Sequence, residues 1–269
     1  MLTNFHTHTK YCDGKNSPRE IIELAIELGY RAIGFSAHAY TPYDDRYCLK
    51  DFTAYKSEIN ALKREFQGKI EIYLGLEEDS YAKVNRDELD YIIGSSHYFK
   101  VNDKYYPIDS SKECFLKCLE LFNGNAIKMA ETYYESFVEY ILERKPDIIG
   151  HFDLITKYDE IMPSIFLEDK NYLELSNNYV KRALKSNSIF EVNVGAIIRN
   201  YRTKPYPYEN LLYTIYKEGG KIILSLDCHS VDALKFDFSP IIKTLKGFGF
   251  DGVYTIKEGK FIKEKIWNL

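Results

Sequence analysis

The chain is poor in several things that would have placed it elsewhere. Its 269 residues include one tryptophan, three methionines, eight prolines and five cysteines. The cysteines (Cys12, Cys48, Cys114, Cys118 and Cys228) are odd in number and sparsely spaced, which argues against a disulfide framework. Cys114 and Cys118 stand four apart on an expected helix, and no second Cys/His pair beside them completes a zinc site. No run of 18 apolar residues occurs, and the opening MLTNFHTHTK lacks the apolar stretch of a signal peptide. A cytoplasmic protein with no membrane partner is therefore expected. An excess of charge is missing too: 36 basic residues face 40 acidic ones, a net −4. That balance leaves no electrostatic footprint for nucleic acid. With no internal repeat, low-complexity tract or Pro/Ser linker, one domain over 1–269 is expected, a length that α/β barrels commonly reach. Tyrosine is abundant, at 24, and is read as packing between helices and strands.

Apolar runs of strand length alternate with amphipathic stretches of helical length. Leu2 to Phe5 reads as the first strand. Ser17-Pro18-Arg19-Glu20 is a capping box with proline at the first helical position, and Gly29 stops that helix. Further strands are expected at Arg31 to Phe35, Ile70 to Leu76, Tyr91 to Ser95, Asp147 to Gly150, Ile189 to Val192 and Ile222 to Leu226. Helices are expected at Phe52 to Phe66 and over about 111–122, 124–144, 171–186, 207–218 and 239–246. Phe99 to Tyr105, with Asn102-Asp103 at its centre, suggests a hairpin or lid, and weak strands are expected near Val253 and Phe261. Seven strands alternating with helices imply a parallel, barrel-like α/β sheet.

Histidine is scarce as well, and its placement is the most informative feature of the chain. All six histidines (His6, His8, His38, His97, His151 and His229) close a strand-like run. Glu77 closes another, Asn193 a further one, and Asp227 shares the last with His229. Residues two apart on a strand face the same way, so His6 and His8 can serve one ion together. Functional residues of a β/α barrel sit at the C-terminal ends of its strands, which would bring all of these to one mouth. Asp13, in the first loop, can reach in as well. A lone histidine is more often an ordinary hydrogen-bonded residue, but the joint pattern is not explained that way. So many imidazoles and carboxylates would be costly to desolvate uncompensated, and divalent cations supply the compensation. Mixed nitrogen and oxygen donors suit Zn, Mn or Fe better than Mg or Ca. Cys228 lies between Asp227 and His229, where alternation turns its side chain away. Nine candidate ligands exceed one tetrahedral ion and suit two or three ions with open positions, a catalytic arrangement.

The segments FHTHTKYCDGKNSPREIIELAIELGY, GFSAHA, GLEED, IIGSSHY, IIGHFDLI, FEVN and SLDCHS, in this order, resemble the PHP (polymerase and histidinol phosphatase) superfamily, and within it the stand-alone histidinol-phosphate phosphatases. The likeness runs from Phe5 to about His229. It implies a distorted (β/α)7 TIM-like barrel with a trinuclear site. On the matching positions the first ion would take His6, His8, Glu77 and Asp227. The second would share Glu77 and take His97 and His151, and the third would take Asp13, His38 and His229. Some members carry histidine where this chain has Asp13.

The activity this implies is hydrolysis of L-histidinol phosphate, a small-molecule phosphate ester, in histidine biosynthesis. A metal-bridging hydroxide, held through Glu77 and Asp227, is expected to attack phosphorus. Arg199 and Arg202 are both candidates to grip phosphate. Lys157 stands where the family often has arginine, and would act as a point charge. Glu78, Asp79 and the hairpin over 99–106 are candidates for the polar wall facing the rest of the substrate. The alternative within the superfamily is a phosphoesterase acting on a nucleotide, oligonucleotide or phosphotyrosine. A nucleic-acid enzyme should show a basic channel with interleaved aromatics, which this slightly acidic chain lacks. A non-enzymatic metal-binding module would instead need closed coordination.

Overall fold

Residues 2–265 are described in the computed structural model. The first strand, β1 (Thr3–Asn4), is shorter than expected, and α1 (Pro18–Glu27) begins at the capping box, with Ser17 and Glu20 bonding reciprocally. Then come β2 (Ala32–His38), α2 (Phe52–Glu65), capped by Asp51, and β3 (Glu71–Asp79). The last of these continues past Leu76, so Glu77 lies within the strand. After β4 (Tyr91–Ser95) the chain forms the hairpin β5 (Tyr98–Val101) and β6 (Lys104–Pro107). Its turn residues Asn102 and Asp103 both have positive φ, 49° and 60°, the conformation that lets a two-residue loop follow the strand twist.

Helices α3 (Lys112–Leu121) and α4 (Ala126–Arg144) lead to β7 (Ile148–Ile149). Next are α5 (Lys170–Ala183), β8 (Ile189–Asn193), a four-residue α6 (Gly195–Ile198), α7 (Glu209–Lys217) and β9 (Lys221–Ser225). The chain ends in α8 (Ser239–Phe248) and a six-residue pair, β10 (Gly252–Lys257) and β11 (Lys260–Lys265). Where two weak strands were expected there is an antiparallel hairpin.

The large sheet has nine strands in the order β1-β2-β3-β4-β7-β8-β9-β10-β11, and the seven expected strands are its first seven. These, and the β9–β10 pair, run parallel. The sheet curls until its first and seventh strands meet at the mouth. There Thr7 bridges Cys228: His8 N donates to Cys228 O (2.8 Å) and Cys228 N donates to His6 O (3.0 Å). Asn4 fastens the same seam by accepting from Leu226 N (2.9 Å). Lower down, β10 takes the edge of β9 at Tyr254 opposite Ile223. The distorted TIM-like barrel of the sequence reading is the fold observed.

Inside the barrel, Phe5, Tyr91, Ile93, Ile148 and Ile189 belong to one buried cluster. The Tyr91 hydroxyl donates to Phe5 O (2.5 Å). Gly75 makes room for this ring, since a Cβ there would lie 2.5 Å from it, closer than packed atoms tolerate. The larger core lies between sheet and helices and includes fully buried Tyr55, Tyr133, Tyr134 and Tyr172. These tyrosines are the packing residues expected; a second group lies at the mouth.

Candidate metal centre

Six of the sheet's strands, β1, β2, β3, β4, β7 and β9, deliver donors at the same end of the barrel. Glu77 is the hub. Its Oε2 is 2.8 Å from His38 Nδ1, 3.3 Å from His6 Nε2 and 3.5 Å from His8 Nε2. Its Oε1 is 2.9 Å from His151 Nε2 and 3.5 Å from His97 Nε2. Asp227 Oδ1 stands 3.7 Å from His6 Nε2, 3.5 Å from His8 Nε2 and 3.4 Å from His229 Nδ1. Asp13 Oδ2 lies 3.3 Å from His229 Nε2, and its Oδ1 is 3.6 Å from His38 Nε2. All nine candidate ligands are thus within one cluster. By distance they fall into four overlapping sets: His6, Glu77 and His151; His6, His8 and Asp227; His38, Glu77 and His97; and His8, Asp13, His38 and His229. Three details differ from the expected partition: His6 also stands beside His151, His38 beside Glu77 and His97, and His8 beside the Asp13 group.

The donor chemistry fits divalent cations. Nε2 of His6 and Nε2 of His8 are buried and have no hydrogen-bond partner, nor does Glu77 Oε2 meet bonding geometry with its neighbours. Buried polar atoms are nearly always satisfied, and these three orphans, with the two imidazole nitrogens 3.3 and 3.5 Å from Glu77 Oε2, have the chemistry a cation would satisfy. Burial, reinforced by the charges of His229 and His38, holds His8 down to about 3. It is therefore neutral near pH 7, with a lone pair to offer. Burial opposes ionisation of Glu77, yet His6, His38 and His97 outweigh it and hold the carboxyl well below its usual range. Asp227 behaves alike: burial is overcome by Arg199 and His6. Around His6 burial is in turn outweighed by Glu191, Glu77 and Asp227, which favour its protonated form strongly. Carboxylates and imidazoles are each other's counter-ions here, a task a cation would assume.

Backbone detail explains how the last two donors share a face. Beyond β9 the chain turns at Asp227, whose φ of 49° is left-handed, a region that Asp tolerates better than most residues. A turn, and not continuous strand alternation, presents Asp227 and His229 together. The buried Cys228 points away, with its thiol 3.0 Å from Ser230 O, as expected. Gly195 leaves space for this turn, since a Cβ would sit 2.7 Å from Asp227 Oδ2.

The cluster floors a cavity of about 460 Å³, within the usual range for small-molecule sites. Arg199 lines it and donates from Nη2 to Asp227 Oδ2 (2.9 Å) and from Nη1 to Asp227 O (3.0 Å). Lys157 lines it too, its ammonium bonded to Asp109 O (2.7 Å) and 4.9 Å over the Tyr201 ring. Arg202 is not in the wall. Its side chain is sealed inside, 4.2 Å from the Tyr206 ring centre and bonded to Thr156 Oγ1 (2.8 Å), with Asp153 at 3.7 Å. Glu78 also faces elsewhere, because alternation along β3 sends it opposite to Glu77. There it pairs with Arg86, Arg144 (3.0 Å) and the Tyr140 hydroxyl (2.6 Å). Asp79 lies behind His97, outside the cavity wall. The hairpin contributes Tyr98 and Pro107 to the wall.

Several participants were missed. Glu191 Oε1 stands 2.6 Å from His6 Nδ1, and its Oε2 accepts from His151 N and Asn193 Nδ2, both at 2.9 Å. Such a carboxylate fixes the tautomer and aim of a ligating imidazole. The signal was present, since Glu191 lies two residues before Asn193 on one strand face. Asp109, Asp44 and Tyr47 in the cavity wall come from loops with no periodic signature.

A curled sheet whose mouth gathers these nitrogen and oxygen donors defines an α/β-barrel protein with several groups of possible metal ligands. More narrowly, the chain belongs to the PHP domain family, whose profile matches residues 4–195. It is 28% identical over 96% of its length to a Schizosaccharomyces pombe protein named a probable histidinol-phosphatase, and covers 90% of that protein. It is 25% identical to the histidinol-phosphatase of Bacillus subtilis, over 88% of this chain and 97% of that one. Its fold matches the histidinol phosphate phosphatase of Lactococcus lactis, solved with zinc, L-histidinol and phosphate. That match has a TM-score of 0.74 at 21% identity, covering 97% and 98% of the two chains. Among the described residues no helix is long and apolar enough to cross a membrane.

Proposed function

We propose that this chain is a metal-dependent phosphomonoesterase that hydrolyses L-histidinol phosphate to L-histidinol and phosphate, a step of histidine biosynthesis carried out in the cytoplasm. The observation that carries the reading is the convergence of orphaned His6 Nε2, His8 Nε2 and Glu77 Oε2 in a donor cluster, seven of whose nine members line a substrate-sized cavity. The relatives named above, aligned over nearly the whole chain, support the substrate.

His6, His8, Asp13, His38, Glu77, His97, His151, Asp227 and His229 would hold two or three ions of the zinc, manganese or iron type. Bound there, such ions supply an activated water at neutral pH and neutralise charge on a phosphoryl group. Glu77 and Asp227, each facing several imidazoles, keep the donors gathered around the reacting position. Arg199 has its guanidinium in the cavity wall and meets a phosphate oxygen; Lys157 adds a positive charge across the opening. Tyr47, Tyr98 and Tyr201 enclose the organic part of the substrate and thin the water around the ester.

The test is a comparison of substrates. Purified protein loaded with zinc or manganese should release phosphate from L-histidinol phosphate far faster than from nucleotides or phosphotyrosine. Similar rates on all three would leave only a broader phosphoesterase.

A further inference from the structure

The loop between β2 and α2, residues 39–50, supplies Asp44, Arg46 and Tyr47 to the outer wall of the cavity. One of its side chains reaches inward instead. The Tyr43 hydroxyl donates to Asp79 Oδ1 at 2.5 Å, and Asp79 is 3% exposed. The other oxygen of this carboxylate, Oδ2, accepts from His97 N (2.9 Å) and stands 3.2 Å from His97 Nδ1. A carboxylate placed this way accepts from the Nδ1–H of His97, which makes Nε2, 3.5 Å from Glu77 Oε1, the nitrogen that would be left to meet a cation. The terminal torsion of an aspartate is soft. Two donors hold Oδ1, the Tyr43 hydroxyl and Tyr81 N (3.2 Å), and the hydroxyl is the shorter.

Tyr43 is itself held by the hairpin. Its ring stacks on Tyr105 of the hairpin, with centroids 4.0 Å apart and planes 12° from parallel, and meets the edge of Tyr98 at 5.0 Å. Tyr98 returns to the same loop by donating to Asp44 Oδ2 (2.9 Å). Loop and hairpin thus form one aromatic unit whose Tyr47 and Tyr98 line the cavity, and a single hydrogen-bonded line, Tyr43 to Asp79 to His97, runs from it into the donor cluster.

We propose that Tyr43 is a positioning residue for His97, acting through Asp79, so that the loop covering the cavity is wired to the metal centre. A substrate that orders the loop would thereby also tighten the aim of one ligand. This rests on the reading of His97 as a ligand, and the experiment separates the two. Zinc bound per chain is measured in a chelator-buffered zinc titration of wild type, Tyr43→Phe, Asp79→Asn and His97→Ala. Melting temperatures of the metal-stripped proteins, and kcat and KM on L-histidinol phosphate, are measured alongside.

The expected result is that His97→Ala loses one ion or binds it far more weakly. Asp79→Asn should raise the half-filling zinc concentration of that ion by about 10–100-fold, the usual effect of removing a partner behind a ligand. Tyr43→Phe should raise it several-fold, with the stripped protein melting as wild type and kcat falling more than KM rises. A purely structural tyrosine would lower the melting temperature and leave the titration superimposable on wild type; that result overturns the proposal. If His97→Ala keeps the full complement of zinc, the ligand assignment fails and the proposal falls with it. Should Asp79→Asn not fold, the isosteric Tyr43→Phe decides alone.

Discussion

Arg199 and Arg202 stand three residues apart in one loop and read identically as phosphate grips, yet they do opposite things. Arg199 keeps its guanidinium in the cavity wall beside Asp227, while Arg202 is walled in by Tyr206, Thr156 and Asp153. Arg199→Ala is expected to lower kcat/KM on L-histidinol phosphate at least tenfold with the fold intact. Arg202→Ala leaves the buried Asp153 with its bond from Tyr208 N but without its cationic neighbour, which costs up to roughly 3–5 kcal/mol, while the folded fraction keeps its turnover. Measured kcat/KM beside denaturant midpoints separates them, and equal kinetic losses in both variants would contradict the assignment. At the floor, His8→Ala should abolish turnover and reduce bound metal while circular dichroism stays native. Retained activity would remove His8 from the ligand set. The histidines were legible from sequence because a strand end points its side chain by a fixed period of two. The direction of a loop arginine has no such period, so only coordinates separate the pair.

At the level of elements, most strands and helices lie where periodicity and capping placed them, with α1 opening on its Ser17 and Glu20 box. The short β1 departed from expectation, and the two terminal strands, expected as such, had no foreseen pairing, for one reason. Pairing at the barrel seam is shared, β9 being bridged to β1 at the mouth and to β10 lower down, and a choice between distant partners leaves no mark on local sequence. Ion pairs between helices are equally unreadable in advance. Glu135 of α4 meets Arg182 of α5 through two bonds, 2.6 and 2.8 Å, and accepts from the Tyr179 hydroxyl at 2.7 Å. The guanidinium chiefly, against slight burial and with help from Tyr179, lowers this carboxyl from 4.5 to about 2. Since the folded value is the lower one, the contribution is complete above about pH 4.5 and is lost as pH falls toward 2. Both side chains remain well solvated, so the pair is worth less than ~1 kcal/mol. Glu135→Gln should therefore melt about 1–3 °C lower than wild type at pH 6. That gap should narrow by pH 3 in scans of the metal-stripped proteins. A gap that stays constant over this range would assign the loss to packing.

For the whole molecule, the cluster at the mouth is a fault unless something fills it. Six strand ends and one loop gather their donors around Glu77 and Asp227, and the resulting site leaves buried nitrogen and carboxylate atoms without partners. An ion that binds only the folded chain repays this through mass action, about 4 kcal/mol at a thousand times its Kd. Chelator-stripped protein should therefore melt roughly 10 °C below the zinc- or manganese-loaded form, and readdition should restore the difference. Calcium should restore little, being a poor match to imidazole. The gain must also depend on pH. Although burial resists it, Glu191, Glu77 and Asp227 together favour a proton on His6 in the stripped site, and a cation taking its Nε2 has to displace that proton. Zinc binding should thus release protons, and at fixed free zinc the thermal gain should shrink steadily from pH 8 to pH 6. Thermal scans across that range, with proton release followed by calorimetry in buffers of different ionisation enthalpy, provide the check. A gain of equal size at both ends, with no protons released, would mean that the metal binds somewhere other than these imidazoles.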